Sequence, residues 1–513
     1  MRVTNNMITG NTKYNINANK VLVDKYNTQM TTHKKINKAS DNPVIAIRSL
    51  RMQTNLSHLT QYLDNNIEDA NSWIDITETA LTNMKDLLTR IRTQCVTGSA
   101  DLKEAKDRDT ILKELQALQE QVYTEGNADY AGRTVFTGYR TNCQFTFKDD
   151  EQDTKYEITE TFTYEDLKEQ RYYYGVTEVP VDAQTSCTTE IGTDAYCRLR
   201  MAYDKLDGPE DPNDPTTSQI EVKINGQDVR NVTTITPLGG KYKEYANQEE
   251  WIAENIANND RGTKLGDYDI IFLRDSGEMV FGKEIANTLA KEKATFEVNY
   301  AKTGFAKNEP RPEYYFDCTM KTPDMDEPVV YTKQEQKIYY AISAGITLPV
   351  NTEACEVFGT DIGRDVSEMI DIVSAAINAN DKVTKINQLM EREQFSSEED
   401  QKVLQTYLDA AKKEADYAND HMQKTFSQYI TNFDNYFEKV NIGITNLGSL
   451  QNRLDMTQNR VENQKTTVEL LKSNNEDRDI SDIIIDYYAA YNAYTASLTA
   501  ASKVGQQTLL NYL

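Results

Sequence analysis

Apolar residues recur with a helical period at both ends of this 513-residue chain and follow other patterns between them. Met52, Leu56, Leu59 and Leu63 step by four, three and four. After a second four-step, Ile67, Ala70, Ile74, Thr77, Leu81, Met84, Leu88 and Ile91 carry the alternation on. A stripe near period 3.5 is a coiled-coil-like seam, and about forty residues of helix would reach roughly 60 Å. Ile111, Leu115, Leu118 and Val122 mark a second helix. The glycine-bounded "GRTVFTGY" (132–139) after it predicts a hairpin or strand.

The C-terminal flank mirrors this. Ser396 and Glu399 offer a capping box for a helix start. Farther on, Phe426, Ile430, Phe433, Phe437, Val440, Ile444 and Leu447 alternate four and three, and Leu454, Val461 and Val468 continue every seven. This predicts a very long helix ending near "KSNNEDRDIS" (472–481). The terminal segments are periodic too. Met7, Tyr14 and Val21 recur every seven residues, with Val3 before them, and so do Ile16, Val23 and Met30. Ile480, Ile484, Tyr487, Tyr491, Tyr494, Leu498 and Ala501 form the matching stripe at the other end. Seams this narrow on polar backgrounds bury too little surface to order a helix alone, so each needs a partner helix. Two arrangements meet that need: the termini pair within one subunit, or they stay unfolded until assembly orders them.

The middle breaks the helical pattern. "KYEITETFTYE" (155–165), "QIEVKING" (219–226), "YDIIFLRDSGEMVF" (268–281) and "ATFEVNY" (294–300) alternate like half-buried strands, with a hairpin turn at "DSG". "NQEEWIAENIANN" (247–259) reads as a short helix, and 336–359 as a hairpin turning near Ser343-Ala344-Gly345. Ten of the eleven prolines lie between Pro180 and Pro349, which keeps long helices out of that stretch. Residues 145–360 also carry 41 acidic and 23 basic side chains, −18 of the net −25. An acidic, β-rich piece is therefore inserted between two helical flanks. The predicted class is an α+β multidomain protein whose long N- and C-terminal helices form a bundle around a β-rich insert. The expected divisions are 1–42 and 474–513 as terminal assembly segments, 43–142 and 361–473 as the two halves of a helical core, and 143–360 as a surface-exposed insert. "LDGPEDPNDPTTS" (206–218) would split that insert into as many as two subdomains.

Charge and chemistry narrow the function. A net charge of −25 leaves nothing to neutralise phosphates, so nucleic acid is not an expected partner. No stretch approaches a membrane span, and the start has no apolar signal core. The six cysteines are scattered without a CxxC pair and read as free thiols. Of the three histidines, His58 and His421 do not open an HExxH helix and His33 lies in a polar loop. "LGGKYKEY" (238–245) lacks the residues of a phosphate-binding loop. The acid clusters at 149–153, 209–215 and 323–328 lack calcium-loop spacing. Asn231-Val232-Thr233 fits a glycosylation sequon, which is a weak signal by itself. The expectation is no catalytic residue, no metal, no cofactor and no enzyme.

One polar stretch precedes the first long helix, "KINKASDNPVIA" (35–46). Pro43 suits a first helical position, where its missing N–H would be unpaired anyway. Asn42, pushed out of helical angles by the proline, is placed to cap, and Asp41 to complement the helix dipole. With Ser40 these residues read as a hinge.

The sequence around this hinge resembles the flagellin family. "MRVTNNMI" (1–8), "TTHKKINKASDNPVIAIR" (31–48) and "NADYAGRTVFTGYRT" (127–141) are similar to that family's opening segments. "ITNLGSLQNRLDMTQN" (444–459) and "NNEDRDISDIIIDYYAAYNAY" (474–494) are similar to its closing helices. His33 stands where the family usually has glycine, Ala39 where it often has proline, and Asn42 where it often has aspartate. Filament flagellins typically place Asp-Asp-Ala-Ala-Gly here, so Pro43 favours a member at the junction of hook and filament. The resemblance implies an extracellular flagellar subunit, exported unfolded by type III secretion without a cleaved signal peptide. It implies self-association into a ring, with the first hook-associated protein and flagellin as neighbours and an export chaperone as a further partner. The alternatives are a divergent filament flagellin, or a flagellin-like scaffold carrying an enzymatic or adhesive middle domain.

Overall fold

A computed structural model of the protein describes residues 5–100, 105–181, 186–187, 191–209, 218–231, 240–257 and 265–506. The chain forms two compact units. One comprises Met1–Asn71, Tyr339–Leu348 and Leu450–Leu513, and the other Ser72–Ile338 and Pro349–Ser449.

In the first unit, α1 (Asn5–Thr32) is followed by α2 (Pro43–Gln61), which runs through a π-helical segment (Tyr62–Ile67) into α3 (Glu68–Gly98). The π segment falls where the apolar stripe takes its second four-step. Its wider turn absorbs the added residue and returns the stripe to the same face. Leu59, Ile67 and Ala70 are buried as a result. A short hairpin, β14 (Tyr339–Ser343) and β15 (Ile346–Pro349), lies beside the π segment, where the Asn66 amide donates to the Ala341 carbonyl at 2.7 Å. The C-terminal part of α9 (Glu398–Glu476) runs alongside, with Leu454 and Val461 buried and Gln451 donating to Asn71 at 2.9 Å. The last described helix is α10 (Ile480–Gln506). The cap of α9 differs from the expected one. The helix starts at Glu398, and Ser397 accepts from the Asp400 N–H at 3.1 Å, so the start is one residue later than a Ser396–Glu399 box requires.

The second unit holds the rest of α3, α4 (Ala105–Gln119), α8 (Asp361–Met390) and the N-terminal part of α9. Their seams are closed: Leu81, Met84, Leu88, Ile91, Ile111, Leu115, Leu118, Phe426, Phe433, Val440 and Leu447 are buried. Each such side chain contributes roughly 1.5–3 kcal/mol. Gly98 ends α3 against the Phe426 ring, where a Cβ would sit 2.2 Å from ring carbon. The strands β1 (Asp129–Tyr130) and β2 (Arg133–Thr134) form a small hairpin across Ala131 and Gly132.

The insert is two sheets packed face to face, with the short helices α6 (Lys283–Glu292) and α7 (Ala354–Val357) also within it. One has five strands in the order β4 (Lys168–Tyr174), β5 (Gly192–Arg200), β10 (Glu278–Phe281), β9 (Ile270–Leu273), β8 (Tyr242–Tyr245). The other has the order β13 (Val329–Tyr331), β12 (Asp317–Lys321), β3 (Glu151–Thr163), β11 (Thr295–Phe305), β6 (Glu221–Ile224), β7 (Gln227–Asp228). Tyr156, Ile158, Leu199, Phe272, Met279, Phe281, Phe296 and Val298 share one core between them. Two expectations fall here. The 206–218 stretch, of which 210–217 lie outside the described residues, does not divide the sheets: β6 comes after it yet joins the sheet of β3, which comes before it. Strands β9 and β10 are not half-buried either. The helix α5 (Gln248–Ala257) and a second cluster around Trp251, Tyr172, Tyr196 and Leu273 cover the other face, so all four residues of each strand are buried. One carboxyl sits inside the shared core. Glu160 accepts from the Tyr300 hydroxyl and from the Ala202 N–H at 3.0 Å, and burial pushes its pKa up to about 7.

Candidate functional site

Among the described residues no group of His, Cys, Asp or Glu is arranged to hold a metal ion, and no helix is long and apolar enough to cross a membrane. The two terminal helices pair with each other. Helix α1 lies along α10 through a single seam on each. On α1 the half-buried positions are Thr12, Ile16, Asn19, Val23, Tyr26 and Met30, spaced three and four. On α10 the seam is Ile483, Tyr487, Ala490, Tyr494, Ser497 and Ala501, with Ile483 and Ala490 buried. Asn19 donates to the Ser497 hydroxyl at 2.6 Å and to the Ala493 carbonyl at 3.3 Å, which sets the register.

The candidate interface residues divide between the two sides of this pair. Tyr487, Tyr494 and Ala501 face α1, whereas Ile480, Ile484, Tyr491 and Leu498 are exposed. Met7, Tyr14 and Val21 are exposed as well, Tyr14 at 75%. Val3 lies outside the described residues. Each terminal helix thus carries a seam that is covered and an apolar row that is not. The buried Ile483 and Ala490 were missed by the stripe reading, although their three- and four-residue steps to Tyr487 and Tyr494 are visible in the sequence.

At one end of this pair the chain turns twice. His33 takes φ +57, a left-handed conformation that ends α1, with its N–H donating to the Gln29 carbonyl at 2.7 Å. That geometry is the physical reason a glycine suits this position. The following residues bridge to the segment that joins α9 to α10. The Lys35 N–H donates to the Glu476 carbonyl at 2.6 Å, and the Arg478 N–H to the His33 carbonyl at 3.0 Å. The Lys34 ammonium meets Glu476 at 2.8 Å and Asp477 at 2.5 Å. Arg478 reaches Gln29 at 3.1 Å, pairs with Asp486 and stands 5.7 Å from the Tyr26 ring centre. Burial pushes the Glu476 carboxyl up, but hydrogen bonds from Lys34 and Ser49 outweigh it and hold the group below its ordinary range. Asp477 is lowered chiefly by the Lys34 hydrogen bond.

Asn42 stands in extended conformation with its side chain accepting from the Val44 and Ile45 N–H groups at 3.1 and 3.3 Å, and Pro43 opens α2. Asp41 does not face the helix start. Its carboxylate accepts from the Lys38 and Asn37 N–H groups at 3.0 and 3.1 Å, which lowers its pKa and closes the loop on itself. Ser40 is exposed. The partners of the hinge across the fold, Glu476, Asp477 and Arg478, were not singled out from sequence. The basic "HKK" at 33–35 against the acidic "NNED" at 474–477 was the available signal.

Comparison with known proteins bears on this part of the chain. Residues 3–141 match the model of the bacterial flagellin N-terminal helical region. A flagellin of Clostridium tyrobutyricum is 28% identical over 122 residues, which are 24% of this chain and 32% of that protein. The chain therefore spans about a third of the length of the curated relative it matches. A flagellar hook-associated protein of Vibrio parahaemolyticus aligns over 85% of this chain and 100% of its own, at 11% identity and TM-score 0.35. The flagellar junction protein FlgL of Legionella pneumophila aligns over 80% and 99%, at 11% identity and TM-score 0.26. Scores of that size establish no common fold for the whole chain. The match at the front is the informative one: residues 3–141 are similar to a flagellin N-terminal helical region.

Proposed function

We propose that this protein is a structural subunit of the bacterial flagellum, of the type that joins hook to filament, and that it associates through α1 and α10. One observation carries the reading: within a flagellin-type terminal region, the two helices cover one seam and leave a second apolar row open on each. A row such as Met7, Tyr14, Val21 on a free surface is stable in water but gains on meeting another apolar face. Residues 1–42 and 474–513 are then the assembly segments, 43–142 with 361–473 the helical core and 143–360 the outward insert. The hinge of Ser40, Asp41, Asn42 and Pro43 separates the first two. Self-association into a ring, the first hook-associated protein and flagellin as neighbours, a chaperone before export and an extracellular position all belong to this reading. So does the lack of an enzymatic role.

The Asn42-Pro43 start favours the junction over the filament, while the similarity to a curated flagellin keeps the filament as the second reading. Deletion of the gene followed by electron microscopy separates them. Complete hooks that shed flagellin into the medium support the junction. Hooks that carry normal filaments overturn it. Purified protein that grows long filaments on its own favours the second reading.

A further inference from the structure

The two sheets of the insert keep their apolar side chains to themselves. Among the described residues, every member of the two clusters that hold the sheets together lies between Phe147 and Tyr331. What joins β5 to the helices is charge. Arg198 and Arg200 lie two residues apart on β5 and so point to one side of the strand. Arg198 reaches Glu368 of α8 at 2.8 and 3.0 Å. Arg200 reaches the same carboxylate at 2.9 Å and pairs with Asp365, three residues earlier on α8. Asp365 is fully buried, and Asn432 and Tyr436 of α9 donate to it at 3.0 and 2.9 Å. Arg364, next to it on α8, meets Asp204 of the insert at 3.0 Å and donates to the Ser276 carbonyl.

Such a joint is separable from the folds on either side of it. Desolvation offsets most of the attraction between buried charges, so ion pairs of this kind add little net stability. Water also has a route in, because crevices of about 320 and 340 Å³ both reach Arg200, the first beside Asp365 and the second beside Glu368. Apolar contact is made where the chain passes between insert and helices. There the rings of Phe145, before β3, and Phe358, before α8, stand 5.7 Å apart. Farther out, Val179 on the β4–β5 connection packs against Ile386 and Leu408. Two amides of that connection cross to α9: Thr177 N–H donates to Glu414 at 2.8 Å, and Cys187 N–H to the Thr406 hydroxyl at 3.0 Å.

We propose that the insert is a body of its own, seated by this charge joint on one turn of α8, and that it lifts from α8 and α9 while sheets and helices stay folded. The contact of Phe145 with Phe358 stays closed and acts as the pivot. Arg200 decides whether the joint holds. Without it, Asp365 keeps the neutral donors Asn432 and Tyr436 among the described residues, but loses the cation that pairs with it. A buried carboxylate in that position is costly while the insert is seated, and the cost vanishes once lifting admits water.

Residue-resolved amide exchange on the full chain tests this. Thr177 and Cys187 report the joint, and Phe272 and Met279, in strands paired on both edges, report the sheet itself. Arg200→Met should speed exchange at Thr177 and Cys187 by about 100-fold or more, and leave Phe272 and Met279 within about threefold of wild type. Adding Asp365→Asn removes the unpaired charge but keeps an acceptor for Asn432 and Tyr436, and should bring exchange back to within about tenfold of wild type. No change at Thr177 and Cys187, equal acceleration at all four positions, or a double variant as fast as the single one overturns the proposal. Because Arg200→Met can fail to fold, the wild-type chain supplies a second measurement. In it, Thr177 and Cys187 should share one opening, at least about tenfold more populated than the opening that exposes Met279. Exchange of Thr177 and Cys187 no faster than that of Met279, or through unrelated openings, overturns it.

Discussion

The insert and the paired terminal helices solve the same problem of burial in opposite ways. Strands β9 and β10 are covered on both faces, by the second sheet on one side and by α5 and Trp251 on the other. Helices α1 and α10 are covered along one seam each and leave Tyr14, Val21, Ile485 and Tyr488 at 60% exposure or more. The central strands of the insert are covered on both faces, and the terminal pair is covered only in part. Stability and the proposed association are thus assigned to different regions, and substitutions should separate them.

The largest effect is expected at Phe272, which is fully buried between the sheets. Phe272→Ala should cost about 3–5 kcal/mol in urea unfolding, with self-association of the remaining folded protein unchanged. Glu160→Gln comes next. With its pKa raised to about 7, the folded state holds a proton that the unfolded state releases near 4.5. The wild type therefore loses stability as pH rises from 4.5 through 7. Glutamine in its place should remove that slope and add about 2 kcal/mol at pH 8, read from paired urea titrations at pH 5 and 8. Equal slopes in both proteins would rule out an ionising Glu160.

Smaller effects belong to the terminal pair. His33→Gly relieves a left-handed residue and should raise protection of the last turn of α1 by about 0.5–1 kcal/mol, seen by hydrogen exchange. Tyr14→Ser should alter monomer stability by no more than about 0.5 kcal/mol, because the ring has nothing to lose in the isolated chain. Its effect should appear in sedimentation of assembled protein. A Tyr14→Ser chain that assembles as well as wild type would remove the outward row from the proposed interface.

Helical order was legible because it is local. The seams from Leu81 to Ile91 and from Val440 to Val461 are buried as their spacing requires, and the π segment sits at the one irregular step. The hinge was legible in part: Asn42 and Pro43 signal a helix start in any context, while the turn of Asp41 toward Lys38 depends on a loop closure that no pattern encodes. The buried pairing of Arg198 and Arg200 on β5 with Glu368 and Asp365 on α8 was not legible. Arg200 and Asp365 are 165 residues apart, and each looks like an ordinary surface charge in its own segment. Strands β9 and β10 misled for a related reason, since the second cover is supplied by elements elsewhere in the chain.

The interleaved strand order has a kinetic consequence. Strand β3 closes on β11 and β12, about 130 to 170 positions later, and α1 closes on α10 at the opposite end of the chain. A chain delivered from its N-terminus meets the partner of its first helix last. Loop closure over such separations is slow, and little local structure rewards it early. The topology postpones these closures until nearly the whole chain is present.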